Sequence, residues 1–203
     1  MKLFNHKMEV ISSEQVYKGG GRFTLSSTVI EFTRFDGRID THGWVLYHRG
    51  NSVAVLLIDP DTKKICLVEQ LRPATTAVNG ELDPSLGGSL LEIIAGSVDG
   101  DEAPIDCLHR EVAEEVGRKI RNIRKVTNSF FSPGGSSEKI FVFLADDAGK
   151  ADLPGGGLEE ESEDIRIHWV TLAEAMVMIR SGEICDAKTI LAIYAYQLEL
   201  LGI

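Results

Sequence analysis

The stretch "GSVDGDEAPIDCLHREVAEEVG", from Gly96 to Gly117, holds Glu102, Glu111, Glu114 and Glu115. Pro104 suits a first helical turn and Gly117 a helix end, so the sequence predicts a helix over 103–116. At roughly 100° per residue, Ile105, Leu108, Val112 and Val116 form an apolar stripe. Glu115 falls at the edge of that stripe, followed by Glu111, then Glu114, with Arg110 on the far side. Two carboxylates four residues apart beside a core edge are close enough for their oxygens to converge. Desolvation and mutual repulsion oppose that arrangement unless a cation compensates it. Magnesium is such a cation, since it takes one or two carboxylates together with waters and substrate phosphate. The plainer alternative is a solvated helix held by pairs such as Arg110–Glu114.

A protein that handles phosphate groups also needs cations of its own. The net charge is −10, which disfavours nonspecific binding to nucleic acid or to an anionic membrane. Arginines must therefore be placed individually, and Arg49 in "YHRGN" and Arg72 in "VEQLRPA" are candidates through their bidentate geometry. Ordinary surface arginines are the alternative for both.

The elements that must position these groups are legible in outline. The chain has 203 residues, of which 43% are hydrophobic and 26% charged, enough for a globular core. Residues 22–34 and 38–48, joined by Asp36-Gly37, read as a β-hairpin or meander. A strand pair at 52–59 and 65–71 follows, then a Gly- and Pro-containing loop at 73–88 and the apolar run "SLLEIIAG". Strand-like runs recur at 123–131, 139–145 and 165–170, and helical patterns close the chain at 171–181 and 187–201. Strands mixed with a few helices, without regular alternation, indicate an α/β class, an α+β mixed sandwich. The expected division is a small N-terminal antiparallel β-sheet over 1–49 and a main domain over 50–203. Cys66, Cys107 and Cys185 show no paired or zinc-binding spacing, so reduced thiols in a cytoplasmic protein are expected. The N-terminus lacks a signal-peptide core, and "VAVLLI" is too short to span a bilayer.

The acidic stretch resembles the Nudix box, G-x5-E-x7-R-E-U-x-E-E-x-G-U, where U is a bulky aliphatic residue. Gly96, Glu102, Arg110, Glu111, Glu114, Glu115 and Gly117 occupy every fixed position, and Val112 the first U. Arg118 replaces the last U, a departure that concerns packing after the helix. The resemblance implies a Nudix fold and Mg2+, or Mn2+ in its place. It implies Glu111 and Glu115 as metal ligands with the Ala95 carbonyl, Glu114 as a ligand or its support, and an Arg110–Glu102 ion pair bracing the loop against the helix.

Beyond the box, "SPGGSSE" at 132–138 resembles the signature of ADP-ribose pyrophosphatases and their GDP-mannose-cleaving relatives, placing Glu138 near substrate. The loop "GGGLEEESEDIRIHW" resembles the catalytic loop of bacterial ADP-ribose pyrophosphatases. Lined up on Asp164-Ile165-Arg166, Glu161 takes the place of the general base and Glu163 that of a third carboxylate on metal. Glu159 and Glu160 are close alternatives. Glycines 155–157 are expected to let this loop close over substrate. Arg49 and Arg72 match phosphate-contacting positions, Arg49 from a partner subunit. Tyr17, Phe23 and Phe35 are equal candidates for stacking on a base, and His109 reads as a surface residue. The N-terminal sheet would form a homodimer.

The implied reaction is hydrolysis of a nucleoside diphosphate sugar, ADP-ribose to AMP and ribose 5-phosphate first. GDP-mannose, giving GMP and mannose 1-phosphate, is the alternative, since "AVNGE" and "GEICDAKT" look more like the GDP-mannose relatives. A non-catalytic sensor of ADP-ribose-type ligands is the alternative of another class, disfavoured by the intact acids.

Overall fold

The computed structural model describes residues 7–19 and 23–203, the side chain of Glu161 excepted. Contacts divide the chain into two compact units, one of residues up to Asn51 with Phe130–Lys139, the other of Ser52–Ser129 with Ile140–Ile203.

In the first unit, β1 (Met8–Lys18), β2 (Thr24–Thr33) and β3 (Ile39–His48) form an antiparallel sheet in that order. The β2–β3 hairpin turns where Asp36-Gly37 signals it, with Gly37 at φ 86°. The segment "SPGGSSE" is stitched to β3: Tyr47 N donates to the Gly135 carbonyl at 2.7 Å, and Ser137 N to the Tyr47 carbonyl at 3.1 Å.

The second unit is built on a sheet of β10, β11, β4, β5 and β12 in that order, with β9 added on β4 and β8 on β5. Its strands are β4 (Ser52–Ile58), β5 (Ile65–Leu71), β8 (Ser89–Glu92), β9 (Ile94–Ser97), β10 (Arg118–Phe130), β11 (Lys139–Lys150) and β12 (Arg166–Val170). Between β5 and β8, the short β6 (Ala77–Val78) and β7 (Glu81–Leu82) pair with each other. Strand β4 runs parallel to β11 and antiparallel to β5 and β9. Every residue of β4 is buried, which explains an apolar run without polar alternation: both faces of the strand are covered.

Helix α1 (Pro104–Val116) covers one face, its Cys107, Leu108, Val112 and Val116 packing with Val53, Val55 and Leu57 of β4 and Cys66 and Val68 of β5. Helix α3 (Ala187–Leu200) packs near β4 and against α2 (Leu172–Ser181). The expected stripe on α1 is corrected at one end: Ile105 is 40% exposed, and Cys107 takes the core position. The run "SLLEIIAG" is also divided. At Ile93 the strand breaks, and the Ile93 amide donates to Thr189 Oγ1 of α3 at 2.8 Å instead of to a neighbouring strand.

Candidate active site

Glu111 and Glu115 face the sheet from α1, and both are buried. Their place follows from the helix: they lie one turn apart on the face that also carries Leu108 and Val112. Glycine at position 96, on β9, makes room for them. A β-carbon there would lie 1.8 Å from the Glu111 carboxyl carbon, so any larger residue would evict this carboxylate. Ala95, opposite Ala54 in the β4–β9 ladder, puts its backbone on the strand under the same helix.

Arg110 holds the loop to the helix. Its Nε donates to Glu102 Oε1 and its Nη2 to Glu102 Oε2, both at 3.1 Å. Nη2 also reaches the Ser97 carbonyl at 3.2 Å, while Nη1 donates to Glu111 Oε1 at 2.8 Å and to Glu114 Oε2 at 3.0 Å. The bond from Arg110 holds the Glu102 carboxyl below its ordinary range, and Glu102 in turn raises the guanidinium further above its own.

Burial drives the two inner carboxyls the other way. Desolvation pushes Glu111 up to about 7 despite the adjacent Arg110 charge. Glu115 is raised well above the usual range by burial, and then by the charges of Glu111, Glu163 and Glu92. One oxygen of Glu115, Oε2, is buried with no hydrogen-bond partner among the described residues. An orphaned carboxylate oxygen beside a second buried carboxylate is a donor set that suits a hard divalent cation. The residues therefore fit the metal that the sequence implies. Among the described residues, no three carboxylate, imidazole or thiol side chains form a ready-made cage, because Arg110 engages one oxygen of Glu111 and one of Glu114.

The acidic loop is tied to the same helix. Gly156 N donates to the Glu115 carbonyl at 2.8 Å and Gly157 N to the Glu114 carbonyl at 3.1 Å, satisfying the end of α1. Gly117 caps the helix in the left-handed region at φ 64°, where a β-carbon would lie 2.7 Å from the Pro154 carbonyl oxygen. Gly156 and Gly157 thus clasp the helix end. The clasp brings Glu163 into line: its Oε2 accepts from Leu158 N at 3.1 Å, and its charge acts on both Glu111 and Glu115. Glu161 ends a 3-10 turn over Glu159–Glu161, but its side chain, the expected general base, lies outside the described residues.

Beside these groups lies a polar cavity of about 440 Å³, lined among others by Glu69, Gln70, Arg72, Ser89, Glu163 and Arg166. Arg72 reaches it from the end of β5 while its Nε donates to Glu92 Oε1 at 2.5 Å. Arg49 and Glu138 belong to the first unit, where they form an ion pair at 3.5 Å, and Arg49 lies 5.9 Å from the Phe23 ring centroid. Sequence reasoning missed Glu92 and Lys188, which pair with each other beneath Arg72. A single carboxylate inside the apolar run "SLLEIIAG" was the signal that could have found the first.

The family model described as NUDIX domain matches residues 48–192. A GDP-mannose pyrophosphatase of Salmonella arizonae is 38% identical over 183 residues, covering 89% of this chain and 91% of that protein. One from Cronobacter sakazakii is 39% identical, covering 87% of this chain and 89% of its own. One from Escherichia coli is 37% identical, covering 88% and 90%. Among solved structures, an ADP compounds hydrolase superposes with a TM-score of 0.74 over 100% of this chain and 98% of its own, at 20% identity, a likeness of fold.

Proposed function

This chain belongs to the Nudix family, and on that premise we propose that it hydrolyses the diphosphate bond of a nucleoside diphosphate sugar with the help of a divalent cation. The observation that carries the reading is the buried Glu111–Glu115 pair, with its orphaned Oε2, beside a polar cavity that also receives Arg72.

Glu111 and Glu115 would hold the cation, with Glu114, Glu163 and the Ala95 carbonyl as further oxygen donors. Magnesium, or manganese in its place, suits that set. Bound there, the cation neutralises diphosphate oxygens and acidifies water. Arg72, which lines the same cavity as Glu163, would bind a phosphate oxygen. Glu163 is held towards the carboxylates by the glycine clasp, and Glu161, by its likeness to the general base of bacterial ADP-ribose pyrophosphatases, would take a proton from the attacking water. Arg49, acting from a partner subunit, and Glu138 are assigned to substrate by their likeness to the family's positions. Arg110, Glu102, Gly96 and Gly117 keep the helix and loop in place.

Two substrates have support. GDP-mannose, which would yield GMP and mannose 1-phosphate, is supported by the GDP-mannose pyrophosphatases that are 37–39% identical to this chain over most of its length. ADP-ribose, yielding AMP and ribose 5-phosphate, has the likeness of "EEESEDIRIHW" behind it. The division of labour assigned to the chain is dimerisation through residues 1–49 and catalysis through 50–203. The dimer reading is supported by β1, whose Met8, Val10, Ile11, Val16 and Tyr17 are all more than half exposed. Among the described residues no helix is long and apolar enough to cross a membrane, and a cytoplasmic site of action is assigned from the free thiols of Cys66, Cys107 and Cys185.

The test is product analysis after incubation with each sugar nucleotide, with and without magnesium, beside Glu115→Gln. Magnesium-dependent GMP or AMP that disappears in the variant supports the reading and selects the substrate. A folded, magnesium-loaded protein that releases neither nucleotide overturns it.

A further inference from the structure

We propose that Glu92 is a positioning residue that fixes the Arg72 guanidinium for phosphate, which rests on the reading of Arg72 given above. Glu92 is 1% exposed and stands alone as a charge within "SLLEIIAG". A carboxylate in such a place needs opposite charge and filled hydrogen bonds to be tolerated. Both of its oxygens are used: Oε1 accepts from Arg72 Nε at 2.5 Å, and Oε2 accepts from Lys188 Nζ.

The second of these bonds fixes Glu92 itself. Lys188 lies in the first turn of α3 with 12% of its side chain exposed, and its Nζ also lies 3.0 Å from Asp186 Oδ2. Asp186 caps α3 by accepting from Thr189 N at 3.0 Å, and Thr189 Oγ1 donates to the same carboxylate at 2.6 Å. That hydroxyl in turn accepts from the amide of Ile93, the residue after Glu92. A closed ring of bonds therefore joins the strand break to the start of α3, and the Glu92 carboxylate has little freedom within it.

Arg72 is the exposed end of this assembly. Its side chain is 41% exposed, and among the described residues its hydrogen bonding is confined to Nε and Glu92. A guanidinium carries its five N–H donors in one rigid plane. Anchoring Nε orients that plane and leaves the two Nη groups for the cavity that Arg72 lines. A long side chain without this anchor would have to be ordered by the ligand, and affinity would fall accordingly. The alternative is that Glu92 serves only as an internal counter-ion, stabilising the fold without acting through Arg72.

A double-mutant cycle separates the two. Affinity for inorganic pyrophosphate, by calorimetry with magnesium present, and KM and kcat for the hydrolysed sugar nucleotide would be measured in the full chain. The variants are Glu92→Gln, Glu92→Asp, Arg72→Ala and the combinations of each Glu92 change with Arg72→Ala. The aspartate keeps the charge but shortens the reach, so it carries the cycle if the glutamine does not fold.

With Arg72 present, either change at Glu92 is expected to weaken pyrophosphate binding and raise KM roughly tenfold, with kcat altered less. With Arg72→Ala, the same changes should matter less than about twofold. Equal losses in both backgrounds, or wild-type behaviour of Glu92→Asp, would overturn the proposal. So would an Arg72→Ala protein that binds pyrophosphate normally. Failure to cleave either sugar nucleotide, with pyrophosphate bound through Arg72, would remove the substrate reading alone, and the cycle on affinity would still decide the role of Glu92.

Discussion

Gly96 and Glu111 occupy one space: a β-carbon on the glycine would sit 1.8 Å from both the carboxyl carbon and Oε1 of the glutamate. The backbone of β9 is thus the wall against which the Glu111 carboxylate rests. Gly96→Ala should leave the sheet formed but displace Glu111, lowering magnesium affinity at least tenfold and turnover about a hundredfold. Magnesium titration by calorimetry beside a steady-state assay checks this, and wild-type magnesium affinity in the variant would refute it.

The buried carboxyls also make the metal-free protein pH-sensitive. Glu111 is raised to about 7 and Glu115 well above its ordinary range, both first by burial. Below the unfolded value near 4.3, both states are protonated and these groups impose no penalty. As pH rises beyond it, the unfolded chain releases its protons first, so the metal-free protein loses stability through about pH 5–7. Chelator-treated protein should therefore melt several degrees lower at pH 7.5 than at pH 5. Glu115→Gln should reduce this loss, and magnesium should raise the melting temperature of the wild type far more than that of the variant. Thermal melts over this range, with and without magnesium, provide the readout.

Much of this site was legible because its chemistry is local. Glu102, Arg110, Glu111, Glu114 and Glu115 lie on one loop and one helix, so spacing alone predicts that Arg110 faces Glu114 and that Glu115 borders the core. The β2–β3 hairpin carries an equally local signal in Asp36-Gly37. What was hidden depends on contacts distant in sequence. Lys188 meets Glu92 across 96 residues, and no periodicity encodes that meeting. The clasp of Gly156 and Gly157 was equally hidden, since it exists only once α1 presents its carbonyls to them. Ile105 belongs to the helical stripe by angle, but it lies in the first turn, beyond the reach of the sheet.

That clasp gives the next prediction. A β-carbon on Gly157 would lie 2.5 Å from the β-carbon of Glu163, and Gly157 holds φ 88°. Gly157→Ala should push Glu163 away from Glu111 and Glu115, reducing turnover by ten- to a hundredfold with little change in substrate affinity. A kcat loss without a KM change supports this positional role. Unchanged turnover would show that the loop tolerates the shift.

Arg118, where the Nudix pattern has an aliphatic residue, is answered by Asp147. Arg118 Nε donates to Asp147 Oδ1 at 3.0 Å and Nη2 to Oδ2, while Asp147 is 6% exposed and also accepts from Gly149 N at 2.8 Å. Arg118 on β10 is thus paired with a buried carboxylate on β11. Removing one member strands the other, so Asp147→Leu and Arg118→Leu should each destabilise the protein, the arginine change by about 3 kcal/mol because it leaves a buried carboxylate. Replacing both by leucine restores the apolar character of the position and removes both charges, so the double variant should recover most of the loss. Urea unfolding of the four proteins measures the coupling. Additive losses would mean that the pair contributes nothing beyond the two residues taken separately.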